Sequence, residues 1–169
     1  MLGLPRGEVF LVPWTEEWEM EFLSEKEMIE DKLGKHIVAV HHIGSTAVKG
    51  LSAKPIIDIA VEIKEFRKGD LCIAPLEDMG YDYKGTKILR ERHYFSKGEP
   101  RTHQIHMYER GNKYLLQQLK FRDHLRSDGN TLTKYEELKL RLSQINKSDK
   151  HKYAEAKTEF IESILNRKT

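Results

Sequence analysis

A chain of 169 residues and 19.8 kDa is long enough to bury a core and too short for two full enzymatic domains, which leaves one domain with or without a helical extension. Its 38% hydrophobic and 33% charged residues never gather into the ~18 apolar residues of a membrane span, and residues 1–10 lack a basic start followed by an apolar run, so the sequence reads as soluble and cytoplasmic. The lone Cys72 excludes a disulfide framework and a thiolate zinc cage, and the net charge of +2 divides unevenly, with 16 Lys+Arg against 19 Asp+Glu in residues 1–110 and 13 against 8 in residues 111–169.

After an extended opening containing Pro5 and Pro13, Thr15 is placed to cap a helix whose apolar positions Trp18, Phe22, Ile29 and Leu33 recur at helical spacing until Gly34. Residues 36–43 (HIVAVHHI) are rich in β-branched side chains and end at Gly44-Ser45, a strand running into a tight turn. Residues 55–63 are nearly continuous in Ile, Val and Ala, the pattern of a strand covered on both faces, interrupted by Asp58 and Glu62. A short helix is expected over 70–79, bent or shortened by Pro75 and closed by Gly80. Three β-like pieces around 81–83, 92–97 and 102–108 suggest a meander that extends the sheet. From Asn112 onward the period is helical, with breaks at Gly111 and over 127–131 and a last helix starting at Ser148-Asp149. The fold class is α+β. A mixed sheet domain spans 1–110, and helices over 111–169 either cover the sheet or form a small appended bundle.

The segment 43–63, IGSTAVKGLSAKPIIDIAVEI, carries the chemistry. Glycine and serine opening a turn let backbone N–H groups and a hydroxyl approach an anion, since no Cβ stands in the way. Lys54 adds a mobile positive charge before the second strand. Asp58 is an anion in an otherwise apolar strand, where it needs a cation, a metal or hydrogen-bond donors. Each piece alone has an ordinary structural explanation; the combination resembles the Gly-Ser plus strand-aspartate signature of the nucleotidyltransferase superfold.

The likeness extends along almost the whole chain. VPWTEEWEMEF (12–22), HHIGSTAVKGLSAKPIIDI (41–59), LEDMGYDYKG (76–85), RHYFSKG (92–98), RTHQIHMY (101–108), LKFRDHLRSD (119–128), YEELKLRL (135–142) and YAEAKTEFI (153–161) resemble the GrpB family of predicted nucleotidyltransferases. That resemblance implies a nucleotidyltransferase-like mixed sheet flanked by helices, a nucleoside triphosphate held by Gly44, Ser45 and Thr46, and a divalent metal, magnesium or manganese, on strand carboxylates. Some relatives in that family are joined to dephospho-coenzyme A kinase.

Departures from the pattern sharpen the expectations. The position two residues beyond Asp58, where many nucleotidyltransferases carry a second carboxylate, is Ala60, and Glu62 lies roughly 13 Å from Asp58 along the strand. His41 stands where the family often has an acid. In RTHQIHMY, Gln104 and His106 share one strand face and His103 points the other way, so His106 is the candidate third ligand or general base; a plain hydrogen-bonded histidine is the competing reading. His42 is read as a support for the turn. Arg92 and Arg101 are candidates for binding phosphate by paired hydrogen bonds, with Arg90 matching the pattern less well. Arg122 and Arg126 form either an intrahelical charge cluster with Asp123 or the edge of a substrate groove.

Two functions follow. One is metal-dependent transfer of a nucleotidyl group from a nucleoside triphosphate to an unknown acceptor, with Asp58 and His106 as catalytic and metal-binding residues and Gly44, Ser45, Thr46, Lys54, Arg92 and Arg101 on the nucleotide. The other is a nucleotide-binding or accessory module without transfer chemistry, whose basic C-terminal helices meet a protein partner. Nucleic-acid recognition lacks its usual motifs.

Overall fold

In a computed structural model, which describes residues 1–145 and 150–166, helix α1 (Glu16–Leu33) starts where Thr15 accepts a hydrogen bond from the Glu17 amide. It buries Trp18, Phe22, Glu25, Ile29 and Leu33 on one stripe. Strands β1 (Ile37–Ile43), β2 (Ile57–Ile63), β3 (Tyr81–Gly85), β4 (Arg92–Lys97) and β5 (His103–Glu109) form a single sheet in the order β1-β2-β5-β4-β3. Only β2 and β5 run parallel. The expected meander is the β3-β4-β5 half of that sheet.

The helix expected over 70–79 is a 3₁₀ segment (Phe66–Cys72) followed by α2 (Ile73–Asp78). Pro75 sits in the first turn of α2, where an amide would have no intrahelical partner, so the α-helix can begin only just ahead of it. Cys72 is fully buried, and burial pushes its thiol up to about 11.

After Gly111 come α3 (Lys113–Ser127), capped by the Asn112 side chain, α4 (Gly129–Ile145) and α5 (Lys150–Leu165). The break expected over 127–131 is a single residue, Asp128, whose carboxylate accepts from the Asn130 and Thr131 amides and so starts α4 at once. The expected helix start at Ser148-Asp149 lies outside the described residues, as does the side chain of Tyr153.

Alternation along the strands separates two faces. Ile57, Ile59, Val61 and Ile63 of β2, with Ile105 and Met107 of β5, pack against α1 in the main core. On the other face Ile43, Ala60 and Tyr108 meet Leu115 of α3. Beside them, Val48 and Leu51 from the β1–β2 connection pack with Leu125 and Tyr135 of the C-terminal helices. A cavity of about 510 Å³ opens between that connection, the sheet and α3–α5.

Candidate active site

The antiparallel register of β1 and β2 sets Ile43 opposite Asp58, so the chain leaves the strand directly beside the carboxylate. Gly44 adopts φ 73, and a Cβ there would sit 3.0 Å from Asp58 Oδ2. Glycine is therefore required twice, by the backbone angle and by the close approach. A 3₁₀ turn over Ser45–Ala47 follows, in which the Ala47 and Val48 amides donate to the Gly44 and Ser45 carbonyls. Those bonds do not use the Ser45 and Thr46 amides, the two at the open end of the turn.

His42 braces the turn. It stacks on Phe22 with ring centroids 4.6 Å apart, and its Nε2 lies 2.9 Å from Thr46 Oγ1, whose hydroxyl donates to the Ile56 carbonyl. Since that proton is spent on Ile56, His42 Nε2 is the donor. Burial pulls the His42 pKa down to about 4, against a smaller opposing pull from Asp58. Thr46 is 3% exposed, with its hydroxyl committed inside the turn.

Three residues from adjacent strands form a relay. Arg92 Nη1 lies 3.1 Å from His106 Nδ1, and His106 Nε2 lies 3.1 Å from Asp58 Oδ1. A guanidinium only donates, so Nδ1 accepts and the ring proton resides on Nε2, which donates to Asp58. This tautomer makes His106 a support for the carboxylate and occupies Nε2, the nitrogen that a metal on Asp58 would need. Arg92 also stacks over Tyr94, 4.7 Å from its centroid. Arg101 does not line the cavity: it reaches Tyr94 Oη at 3.3 Å, and that hydroxyl donates to Gln104. Arg90 belongs to a separate shallow groove with Glu91 and Glu109.

The C-terminal helices grip the turn from outside the sheet. Arg126 donates twice to the Ala47 carbonyl, at 3.0 and 2.7 Å, and Arg122 donates to the His42 carbonyl at 3.0 Å while pairing with Asp123. Arg122 thus joins the helical charge cluster with Asp123 and also lines the cavity. The Ser52 amide and hydroxyl donate to Glu136, and Lys139 Nζ donates to the Ser52 carbonyl at 2.6 Å. Lys139 and Lys157 were not anticipated from sequence. The available signal was their spacing: Lys139 falls four residues after Tyr135 and Lys157 four before Ile161, each a lysine on an apolar stripe.

Among the described lining residues the cavity holds five basic side chains, Lys54, Arg92, Arg122, Lys139 and Lys157, and one carboxylate, Asp58. The structure therefore brings Gly44, Ser45, Thr46, Lys54, Asp58, Arg92 and His106 to one place and leaves Arg101 behind it. Ala60 is fully buried in the apolar cluster under α3, and Glu62 pairs with His41 at 2.7 Å. A pair of metals bridged by strand carboxylates does not fit this donor set. A single magnesium or manganese ion does, because such ions are commonly held by one carboxylate together with substrate phosphates and water.

A family model described as GrpB protein matches residues 8–167. The chain is 36% identical over 160 residues to the UPF0157 protein YqkA of Bacillus subtilis, aligning 94% of this chain with 47% of that one, so it spans about half of that relative's length. It is 32% identical to the glutamate-rich protein GrpB of Alkalihalophilus pseudofirmus, over 98% of this chain and 99% of the relative. The crystal structure of the conserved protein GrpB from Enterococcus faecalis superposes with a TM-score of 0.87 at 36% identity, covering 92% of this chain and 94% of that one.

Proposed function

The chain belongs to the GrpB family, and on that premise we propose that its cavity binds a nucleoside triphosphate and transfers the nucleotidyl group to an acceptor. The observation that carries this reading is the contact between Gly44 and Asp58, which sets a strand carboxylate against a glycine turn inside a cavity lined by basic side chains. The acceptor's nucleophile attacks the α-phosphorus, the bond to the bridging oxygen breaks, and pyrophosphate leaves. Gly44 and Ser45 let the phosphates approach backbone amides, Lys54 and Arg92 neutralise charge that grows on the phosphate oxygens, and His106 fixes the orientation of Asp58. A divalent ion held by Asp58 and the nucleotide's own oxygens would supply Lewis-acid charge at the transferred phosphate.

A second reading, a nucleotide-binding module without transfer chemistry, is favoured by the burial of Ala60 and by the Glu62–His41 pair, which leave Asp58 as the one strand carboxylate among the described residues of the cavity. If such a module meets a protein partner through its basic helices, the outer helix faces must serve, since Arg122 turns toward the end of β1 and Arg126 and Lys139 toward the β1–β2 connection.

Thermal melts with each of the four common triphosphates, with and without magnesium or manganese, test binding, because a ligand of the native state raises stability by mass action. A pyrophosphate-release assay then separates the two readings. Binding with release that depends on Asp58 supports transfer, and binding without release supports the module. No shift with any triphosphate contradicts both.

A further inference from the structure

Two arginines one helical turn apart on α3 hold the chain on either side of the glycine turn. Arg122 Nη1 donates to the His42 carbonyl at 3.0 Å, ahead of the turn, and Arg126 Nε and Nη2 donate to the Ala47 carbonyl at 3.0 and 2.7 Å, behind it. Between these two carbonyls lie Ile43, opposite Asp58, and then Gly44, Ser45 and Thr46. The helix that carries both arginines is itself fixed, since Leu115 packs with Ile43, Ala60 and Tyr108, and Leu125 with Val48 and Leu51.

The two arginines differ in what else they touch. Arg122 lines the cavity and pairs with Asp123, so it is open to direct contact with a ligand. Arg126 is exposed and does not line the cavity, so it reaches a ligand only through the backbone that it holds. The turn's own amide hydrogen bonds end on the Gly44, Ser45 and Val48 carbonyls, which leaves the Ala47 carbonyl to Arg126. A forked pair of charge-assisted bonds on one carbonyl fixes direction as well as distance. On the inner side Thr46 is held by His42 and by the Ile56 carbonyl, so the turn is gripped from two sides. Gly44 meets Asp58 at close quarters, where a Cβ would lie 3.0 Å from Oδ2. A small displacement of the turn therefore changes the spacing between the carboxylate and any phosphate beside it.

We propose that Arg126 is a positioning residue that sets the Gly44-Ser45-Thr46 turn against Asp58 and so makes α3 part of the ligand-binding machinery. This rests on the reading of the cavity as a nucleotide site, and adds to it that affinity depends on a side chain the nucleotide does not touch. The fold depends on Arg126 little, because losing an exposed side chain leaves the Ala47 carbonyl within reach of water.

The test compares wild type, Arg126→Met and Arg126→Lys as full chains. Hydrogen exchange of the Ala47 and Val48 amides, which donate within the turn, reads the turn without any ligand. In Arg126→Met these two amides should exchange about tenfold faster or more, while those of β2 and β5 keep their wild-type rates. The Tm should stay within about 3 °C of wild type. Calorimetric titration follows, with magnesium and whichever of ATP, CTP, GTP and UTP raises the wild-type Tm most. Its dissociation constant should be about tenfold or more higher in Arg126→Met. Arg126→Lys keeps the charge but not the fork, and should recover part of both losses.

Either loss without the other overturns the proposal. Faster exchange alone would mean that the turn does not set affinity, and weaker binding alone would mean that only the charge of Arg126 matters. A lowered Tm with neither loss would make Arg126 a contact of the fold and overturn it as well. If no triphosphate binds wild type, the nucleotide reading falls, and exchange at Ala47 and Val48 alone decides whether Arg126 holds the turn.

Discussion

Each face of the sheet brings a β5 histidine to a carboxylate, and the two arrangements differ in what surrounds them. On the α1 face, Glu25 is 1% exposed, accepts from Tyr81 Oη at 2.8 Å and pairs with Lys97, while His103 lies 3.0 Å from Glu21 and 2.7 Å from the Thr102 hydroxyl. On the cavity face, Asp58 and His106 meet Arg92 beside open space lined by basic side chains. Glu21, Glu25 and His103 offer ligand atoms within 4.8 Å of one another, yet Lys97 and Tyr81 already satisfy Glu25. A closed network of this kind reads as architecture, whereas Asp58 borders open space, where the proposed ligand would lie.

The sharpest contrast is in stability. Glu25→Ala leaves Lys97 and the Tyr81 hydroxyl without their buried partner and should cost about 3–5 kcal/mol, measured by denaturant unfolding. Asp58→Asn, at a side chain 29% exposed, should stay within about 1 kcal/mol of wild type. Equal losses at the two sites would erase the distinction between the faces.

His42 extends the comparison to pH. Its folded pKa of about 4 lies below the ordinary 6.5, so the unfolded chain takes up a proton that the folded chain refuses. The His42 contribution is thus fully present above pH 6.5 and is lost as pH falls toward 4, with a total of about 3 kcal/mol. Unfolding curves at pH 7, 5.5 and 4 should show His42→Gln losing less stability on acidification than wild type. Parallel pH profiles would mean that His42 is not held neutral in the turn.

Gly44→Ala acts where the faces meet, at the end of β1. A Cβ in this backbone conformation, pressed against Asp58, should cost about 1–3 kcal/mol and remove the triphosphate-induced rise in Tm. An unchanged rise would show that the turn is not the phosphate contact.

Most of the fold was legible because it rests on local pattern. The Thr15 cap, the β-branched runs of β1 and β2, the meander and the three C-terminal helices all leave periodic signals. The opposed directions of His103 and His106 follow from strand alternation alone. What escaped was pairing between distant segments. Glu25 sits on the apolar stripe of α1, and its position made sense only once β3 and β4 brought Tyr81 and Lys97 beneath it. Arg126 reads locally as part of a helical charge cluster, whereas its partner is the Ala47 carbonyl, 79 positions away. Lys139 and Lys157 were hidden for the same reason, since helical period says which side of a helix is buried but not that the far wall is a cavity.

In the proposed function Asp58 is held for a ligand and not for the fold. Melts of wild type and Asp58→Asn, each alone, with triphosphate, and with triphosphate plus magnesium or manganese, test it most directly. The two proteins should have nearly equal Tm values without ligand, and metal should add a rise in wild type that is absent in Asp58→Asn. An equal metal-dependent rise in both proteins would remove Asp58 from metal binding and contradict the claim.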